Sequence, residues 1–446
     1  MKRLGLGSNS ILILGVALVL LSAGVLLAPA LAQHQAAPVP ALEPAVSVSS
    51  AVAGTLGSAD RTISTMQARA KQDAGDYAAF AALGMAFQQK ARETNDPTFY
   101  TQAEDAFKKC LDVKSDSYDC TAGMGALDLS KHQFGEALNW GNKAQKLLPT
   151  RAYSYGVSGD AYIELGQYDQ AVNSFQRMID LRPDLSSYSR VSYARELNGD
   201  VLGAIAAMEQ AVEAGGPAAE NTAWCRVQLG NLYFNSNQLG RAENEYLAAL
   251  QGYPNYLHAQ AGLAQVRWAQ GKSDEAIKFY EQSVSLVPLP QYLASLGDVY
   301  SARGDIASAQ KQYDLVGAIY HIFEASGVNV NMEKAAFLSD HDKDLQNAAR
   351  LAEEAAATRQ DVHTLDTLAW ARYKVGRYPQ ALEAEKGAMR LGTRNALFYY
   401  HLGMIYEKLG DHSSALQNVK QAIQINPYFS PLHSAEAAKF VLSEGK

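Results

Sequence analysis

Residues 158–183 read SGDAYIELGQYDQAVNSFQRMIDLRP. Gly159 is followed by Tyr162, then Ala171 by Phe175, and Pro183 closes the stretch. The spacing predicts two antiparallel helices. Gly159 on the first faces Ala171 on the second, and two small residues let the backbones approach closely. Gly166 supplies the turn between them, and Pro183 stops the second helix. The same order recurs as Leu229-Gly230, Tyr233, Ala242, Tyr246 and Pro254, and as Leu296-Gly297, Tyr300, Ala309 and Tyr313. It recurs once more as Leu402-Gly403, Tyr406, Ala415 and Pro427. The second-helix alanine then sets a register through the chain: Ala103, Ala137, Ala171, Ala204, Ala242, Ala276, Ala309, Ala348, Ala381 and Ala415. Most steps are 33 or 34 residues, and two are longer by about five. Self-similarity at such a period marks a stacked repeat, in which each unit buries its apolar face against the next. Gly166, Gly199, Asn237, Gly271, Gly304, Gly376 and Gly410 each stand five residues before a register alanine, where the turn falls.

These residues resemble the tetratricopeptide repeat family, and the resemblance spans about residues 77 to 428. It implies an all-α, right-handed superhelical solenoid of about ten helix-turn-helix units with capping helices at both ends. The expected organisation is a signal peptide over 1–32, a flexible Ala/Pro-rich tether over 33–57, an N-terminal capping helix over 58–76, the solenoid over 77–428 and a C-terminal cap over 429–446. Thr94-Asn95-Asp96-Pro97 reads as an inserted loop in the first unit, and residues from Gly317 to Val330 as a lengthened helix B and loop. Ser192 and Met208 replace the glycine and the ring in the unit around Ala204, so that pair is expected to pack less regularly. The last part of the chain, with Asp366-x2-Ala369-Trp370 and His401-Leu402-Gly403, is similar to a block found in exported bacterial repeat proteins.

Lys2 and Arg3 precede an apolar run from Ile11 to Leu27, and Ala30-Leu31-Ala32 follows. This order of charge, apolar core and small residues is that of a secretory signal, with cleavage expected after Ala32. An exported, periplasmic or extracellular protein follows, tied to a membrane only if that segment stays uncleaved or through a partner. The net charge of −7 argues against a nucleic-acid partner, which would want a basic face. Three cysteines are too few for a disulfide scaffold. Cys110 and Cys120, ten apart, could pair in an oxidising compartment, leaving Cys225 free.

In proteins of the resembling family the first helix of each unit, helix A, lines the concave surface. Carrying its ligand positions over, register by register, selects Tyr153, Asp160, Tyr193, Glu196, Trp224, Asn231, Phe234, Trp268, Asp298, Glu333, Asp366, Trp370, Tyr373, Tyr400, Met404 and Glu407. His258, Gln265, Gln291, Phe337 and Asp340 share that register. The resemblance thus implies a groove rich in aromatic anchors whose charged positions are acidic, with no Lys or Arg among them. Such a groove favours neutral or basic extended segments. Co-chaperones of the family hold acidic tails with Lys and Asn on helix A. Here Asn231 is a lone match.

Asp340-His341-Asp342-x-Asp344 has metal-ligand residue types, but reads better as a polar loop with an aspartate capping the next helix. No metal, cofactor or catalytic residue is expected, and His363 with Asp366 reads as a helix surface. The chain therefore reads as an exported scaffold for protein–protein contacts in the cell envelope and not as an enzyme. Two rivals are an assembly or regulatory subunit of a membrane or secretion complex, and a carbohydrate-binding solenoid.

Overall fold

Three units share one local device at the turn between helix A and its partner, helix B. Gly199, Gly304 and Gly410 have φ of 74°, 82° and 82°, and an aspartate follows each. Asp200, Asp305 and Asp411 then accept hydrogen bonds from the amides of Gly203, Ser308 and Ser414 at 2.9, 3.1 and 3.0 Å. One residue ends helix A and the next caps helix B, which makes the hairpin tight and its exit direction fixed. The other anticipated turn residues, Gly166, Asn237, Gly271 and Gly376, also have positive φ.

The computed structural model describes residues 58–216 and 220–444. They belong to the second of two compact units of the chain, Ala51–Lys446. The expected signal segment and tether lie outside the described residues. Among the described residues there are twenty-two α-helices and no strand. From Tyr77–Thr94 with Thr98–Val113 to Ala396–Lys408 with His412–Ile425, they run as successive A/B pairs. Ser58–Gln72 precedes the first pair and Ser434–Glu444 follows the last. No described helix is long and apolar enough to cross a membrane.

The register alanines form the spine of the core: nine are 0% exposed and Ala309 is 2% exposed. Four residues after Ala103, Ala171, Ala242 and Ala309, rings press onto helix-A glycines. A Cβ added at Gly123, Gly230 or Gly262 would fall 2.5 Å from a ring carbon of Phe107 or Tyr246. Two expectations change. The extra residues of the first unit do not form a loop: they extend helix A to eighteen residues, Tyr77–Thr94, and only residues 95–97 connect it to the next helix. The pair around Ala204 keeps its close contact without a glycine, because the Ser192 hydroxyl donates to the Ala204 carbonyl at 2.7 Å. The lengthened helix B of the seventh unit, Ile306–Ala325, has twenty residues.

The solenoid winds tightly enough for its second turn to touch its first. Asn329 N–H donates to the Lys131 carbonyl at 3.1 Å, and Gln360 N–H to the Glu164 carbonyl at 2.9 Å. Val362 N–H donates to the Tyr168 hydroxyl at 2.9 Å, and the Thr393 hydroxyl to the Leu197 carbonyl. Each contact joins an A–B turn to the link before the unit six further on. Val362 and Phe398 add apolar packing, in one cluster with Ile163, Tyr168, Phe175 and Leu197. Gly166 and Gly199 make the approach possible. A Cβ at Gly166 would stand 2.5 Å from the Gln360 carbonyl oxygen, and one at Gly199 would crowd the Gly392 carbonyl. Gly304 has the same backbone with nothing within 4 Å.

The three glycines should therefore differ in what they tolerate. Gly304→Ala carries only the left-handed backbone cost of about 1 kcal/mol, whereas Gly166→Ala and Gly199→Ala cost roughly 2–4 kcal/mol because they also part the turns. Urea unfolding of the three variants measures the difference, and equal costs would remove the inter-turn contact as a stabilising element. The sulfurs of Cys110 and Cys120 lie at bonding distance with Cα atoms 6.3 Å apart, a separation that a disulfide spans. Protein purified under oxidising conditions and denatured without reductant should therefore expose one thiol, Cys225, and three after reduction.

Candidate functional site

The anticipated site residues divide into two groups. In units three and four, helices Ala152–Glu164 and Leu185–Leu197 carry Tyr153, Asp160, Tyr193 and Glu196. Tyr153 is 49% exposed and Tyr193 36% exposed. Tyr193 borders a cavity of about 290 Å³, lined also by Leu129, His132, Phe134, Asp160, Ile163, Glu164 and Arg359. Arg359 comes from the link before unit nine, so the cavity sits on the seam between the two turns.

Its electrostatics are mixed rather than purely acidic. The Arg359 guanidinium lies 2.8 Å from Glu164, 3.1 Å from Glu333 and 2.9 Å from Asp361. It also stands over the Phe134 ring, 5.1 Å from the centroid. Arg190 holds Asp160 through two nitrogens, at 2.9 and 2.7 Å. The transferred positions themselves carry no Lys or Arg, but two arginines from outside that register reach their carboxylates. Arg190 lies on helix A outside the transferred register, and Arg359 lies on no helix. Burial raises the Glu164 carboxyl above its usual range, against the pull of Arg359. Burial also works against charge on Asp361, but Arg359 leads the contacts that hold it below its usual value. Glu196 has no such partner, and burial alone pushes it up to about 7. The half-buried setting of Tyr193, and then the Glu164, Asp361 and Glu196 carboxylates, raise its phenol well above the usual value.

The second group is structural. Phe234, Asp366, Trp370, Tyr400 and Met404 are 6%, 6%, 3%, 1% and 9% exposed. Phe234 packs in the core cluster around Tyr233 and Tyr246, whereas the C-terminal cap covers Trp370, Tyr400 and Met404. Trp370, Tyr400 and Met404 share a core cluster with Val419, Ala437 and Phe440, and Tyr400 donates to Glu436 of the cap at 2.8 Å. Tyr373 stacks on Trp370 with centroids 4.7 Å apart. Asn231 accepts from Tyr246 at 2.8 Å and Asp298 from Tyr313 at 2.9 Å. Glu407 pairs with His412 at 2.8 Å. Trp268 is half-buried against Ala261 and Ala264, and Trp224 alone of the three named tryptophans is exposed, at 39%.

The Asp340–Asp344 loop is occupied by its own contacts. His341 pairs with Asp298 at 2.8 Å and Asp342 with Lys374 at 2.7 Å. Asp344 stands at the start of Leu345–Thr358 but makes no side-chain cap. Asp366 pairs with His401, while His363 packs on Phe398. Sequence reasoning missed Glu164, Arg190, Arg359 and His132. No local pattern could place Arg359 beside Glu164, because they lie on different turns.

These helix pairs and their spine of small residues define a class, the helical-hairpin solenoid. Three segments match family models described as tetratricopeptide repeat: residues 152–185, 227–289 and 396–429. The chain thus carries tetratricopeptide repeats, and proteins built of such repeats are generally non-catalytic scaffolds for protein–protein interaction. It is 25% identical over 234 residues to cellulose synthase operon protein C of Pseudomonas fluorescens (strain SBW25). That match covers 50% of this chain and 16% of the relative, so the chain spans well under two thirds of the curated protein it matches. Among solved structures, PilW, a type IV pilus biogenesis factor, is 17% identical with a TM-score of 0.38, covering 45% of this chain and 92% of PilW. TTC0263, a repeat protein of Thermus thermophilus, is 21% identical with a TM-score of 0.38, covering 44% and 97%. The Cut9–Hcn1 assembly is 13% identical with a TM-score of 0.34, covering 87% and 93%.

The division between groove and core is testable. Trp370→Ala should cost about 3–5 kcal/mol, and Trp224→Ala less than about 1 kcal/mol, in urea unfolding followed by circular dichroism. A neutral Trp370→Ala would return that side chain to the groove.

Proposed function

We propose that this protein is an exported scaffold that holds an extended protein segment along helix A of units three and four, with a basic side chain of the ligand meeting Glu196 next to Tyr193, the ring that borders the seam cavity. One observation carries the reading: the exposed Tyr193 ring lies within electrostatic reach of a carboxylate, Glu196, that has no partner of its own among the described residues and is held up to about 7. The neighbouring carboxylates Asp160 and Glu164 are already paired with arginines. Exposed tyrosines bury much area at little entropic cost, which suits them as anchors. A lysine or arginine from a ligand would supply the counter-charge that Glu196 lacks and make its ionisation favourable. The order of charge and apolar residues before Ala32 supports export, and with it a setting in the cell envelope.

The sign of the pH effect follows from Glu196. Its folded value lies above the ordinary carboxylate value, so the folded state keeps a proton that the unfolded state has lost. Stability from this group is therefore highest below about 4.5 and declines as pH rises through about 7. Ligand binding runs the other way, because a basic ligand needs the ionised form. Affinity for short basic peptides, measured by fluorescence anisotropy, should rise between about pH 6 and 8. Glu196→Gln should flatten that rise, and Tyr193→Ala should weaken binding about tenfold, roughly 1.4 kcal/mol. Binding of acidic peptides or glycans with equal strength, or indifference to both variants, would overturn the proposal.

A further inference from the structure

Glu385 occupies a position where five other units keep a ring. Four residues after the register alanine, helix B carries Phe107, Phe175, Tyr246, Tyr280 and Tyr313 in five other units. In unit nine the residue four after Ala381 is Glu385. It is 0% exposed, and its carboxylate oxygens meet no donor, only the carboxyl of Asp366 facing them. Two more buried groups converge there. Asp366 comes from helix Val362–Lys374 of the same unit, and His401 from helix Ala396–Lys408 of the next. His401 Nδ1 lies 2.8 Å from Asp366 Oδ1. One ligand atom from each of Asp366, Glu385 and His401 lies within 4.8 Å of the other two.

Rings elsewhere lie on a helix-A glycine, as Tyr246 on Gly230, or on an alanine, as Tyr280 in one cluster with Ala264. Unit nine has Ala369 at that place, and there a carboxylate stands where those units have a ring. Two ionised carboxylates are both acceptors and repel at this distance, and burying their charge without compensation is strongly unfavourable. Something positive must lie among them, either protons or a cation. The donor set of one imidazole nitrogen and two carboxylates suits a first-row divalent ion better than Mg²⁺ or Ca²⁺, which take oxygen ligands. Donors about 2.0–2.2 Å from a tetrahedral ion stand roughly 3.3 Å apart, inside the 4.8 Å within which these ligand atoms already lie. The imidazole is steadied by Trp370, stacked on it with centroids 4.1 Å apart and planes 13° from parallel, as outer partners steady a ligating histidine.

We propose that Asp366, Glu385 and His401 bind one first-row divalent cation, Zn²⁺ foremost, which ties both helices of unit nine to helix A of unit ten. Its ligands are buried, so the ion enters as these units fold. The test unfolds the full chain in guanidinium with a chelator and refolds it with or without Zn²⁺. Retained metal is counted by mass spectrometry after desalting, and Co²⁺ serves as a visible-absorption probe. The expected result is about one ion per chain, with a Tm several degrees above that of the metal-free refolded protein. Glu385→Gln, which conserves volume, should keep its helicity and lose both the ion and the Tm shift. The metal-free wild type gives the same comparison without any substitution. If the wild type retains no more metal than Glu385→Gln, or if its Tm is the same with and without the ion, protons alone occupy the cluster and the proposal falls.

Discussion

A ring lying directly on a glycine backbone is the contact from which the rest of this architecture follows. Phe107 fills the space over both Gly84 and Gly123, and Tyr246 the space over both Gly230 and Gly262. Each ring therefore touches helix A of its own unit and helix A of the next. The register alanine one turn away, buried completely in nine of ten cases, keeps the two helices of the hairpin near enough for that double contact. Because one side chain fixes both the hairpin and the step to its neighbour, the angle between units is set by packing and not by the flexible links.

That angle, repeated, brings the second turn against the first. Six units separate the partners, and the contacts are largely backbone hydrogen bonds, such as Gln360 N–H to the Glu164 carbonyl. Gly166 and Gly199 serve twice at these places. Their positive φ closes a hairpin, and their lack of a Cβ lets another turn's carbonyl come close. Buried backbone groups need partners, and here the neighbouring turn supplies them. The seam closes part of the inner surface and gathers charge there: Arg359 reaches Glu164 on one turn and Glu333 and Asp361 on its own.

The inner surface accordingly differs along the chain. In units three and four it is wet, with Tyr153 and Tyr193 exposed. In units nine and ten the cap helix Ser434–Glu444 covers it, and positions equivalent by register become core. Asp366, Glu385 and His401 lie buried together in these same two units. One helix at the end of a solenoid thus turns a row of similar positions into two chemically distinct regions.

The hairpin repeat was legible in the amino-acid order because its determinants are local. Glycine, alanine, ring and turn residue all fall within one period of about 34 residues, and every buried register alanine could be named from spacing alone. Half of the candidate site was legible for the same reason: Asp160, Tyr193 and Glu196 are helix-A positions wherever the next turn lies. Which positions stay open was not legible. The exposure of Tyr193, the burial of Trp370 and the placement of Arg359 beside Glu164 depend on where one turn or a cap meets another. That meeting is the accumulated result of many small angles between units, altered by the longer helices Tyr77–Thr94 and Ile306–Ala325. No single stretch of sequence holds that sum, so the tertiary structure alone decides it.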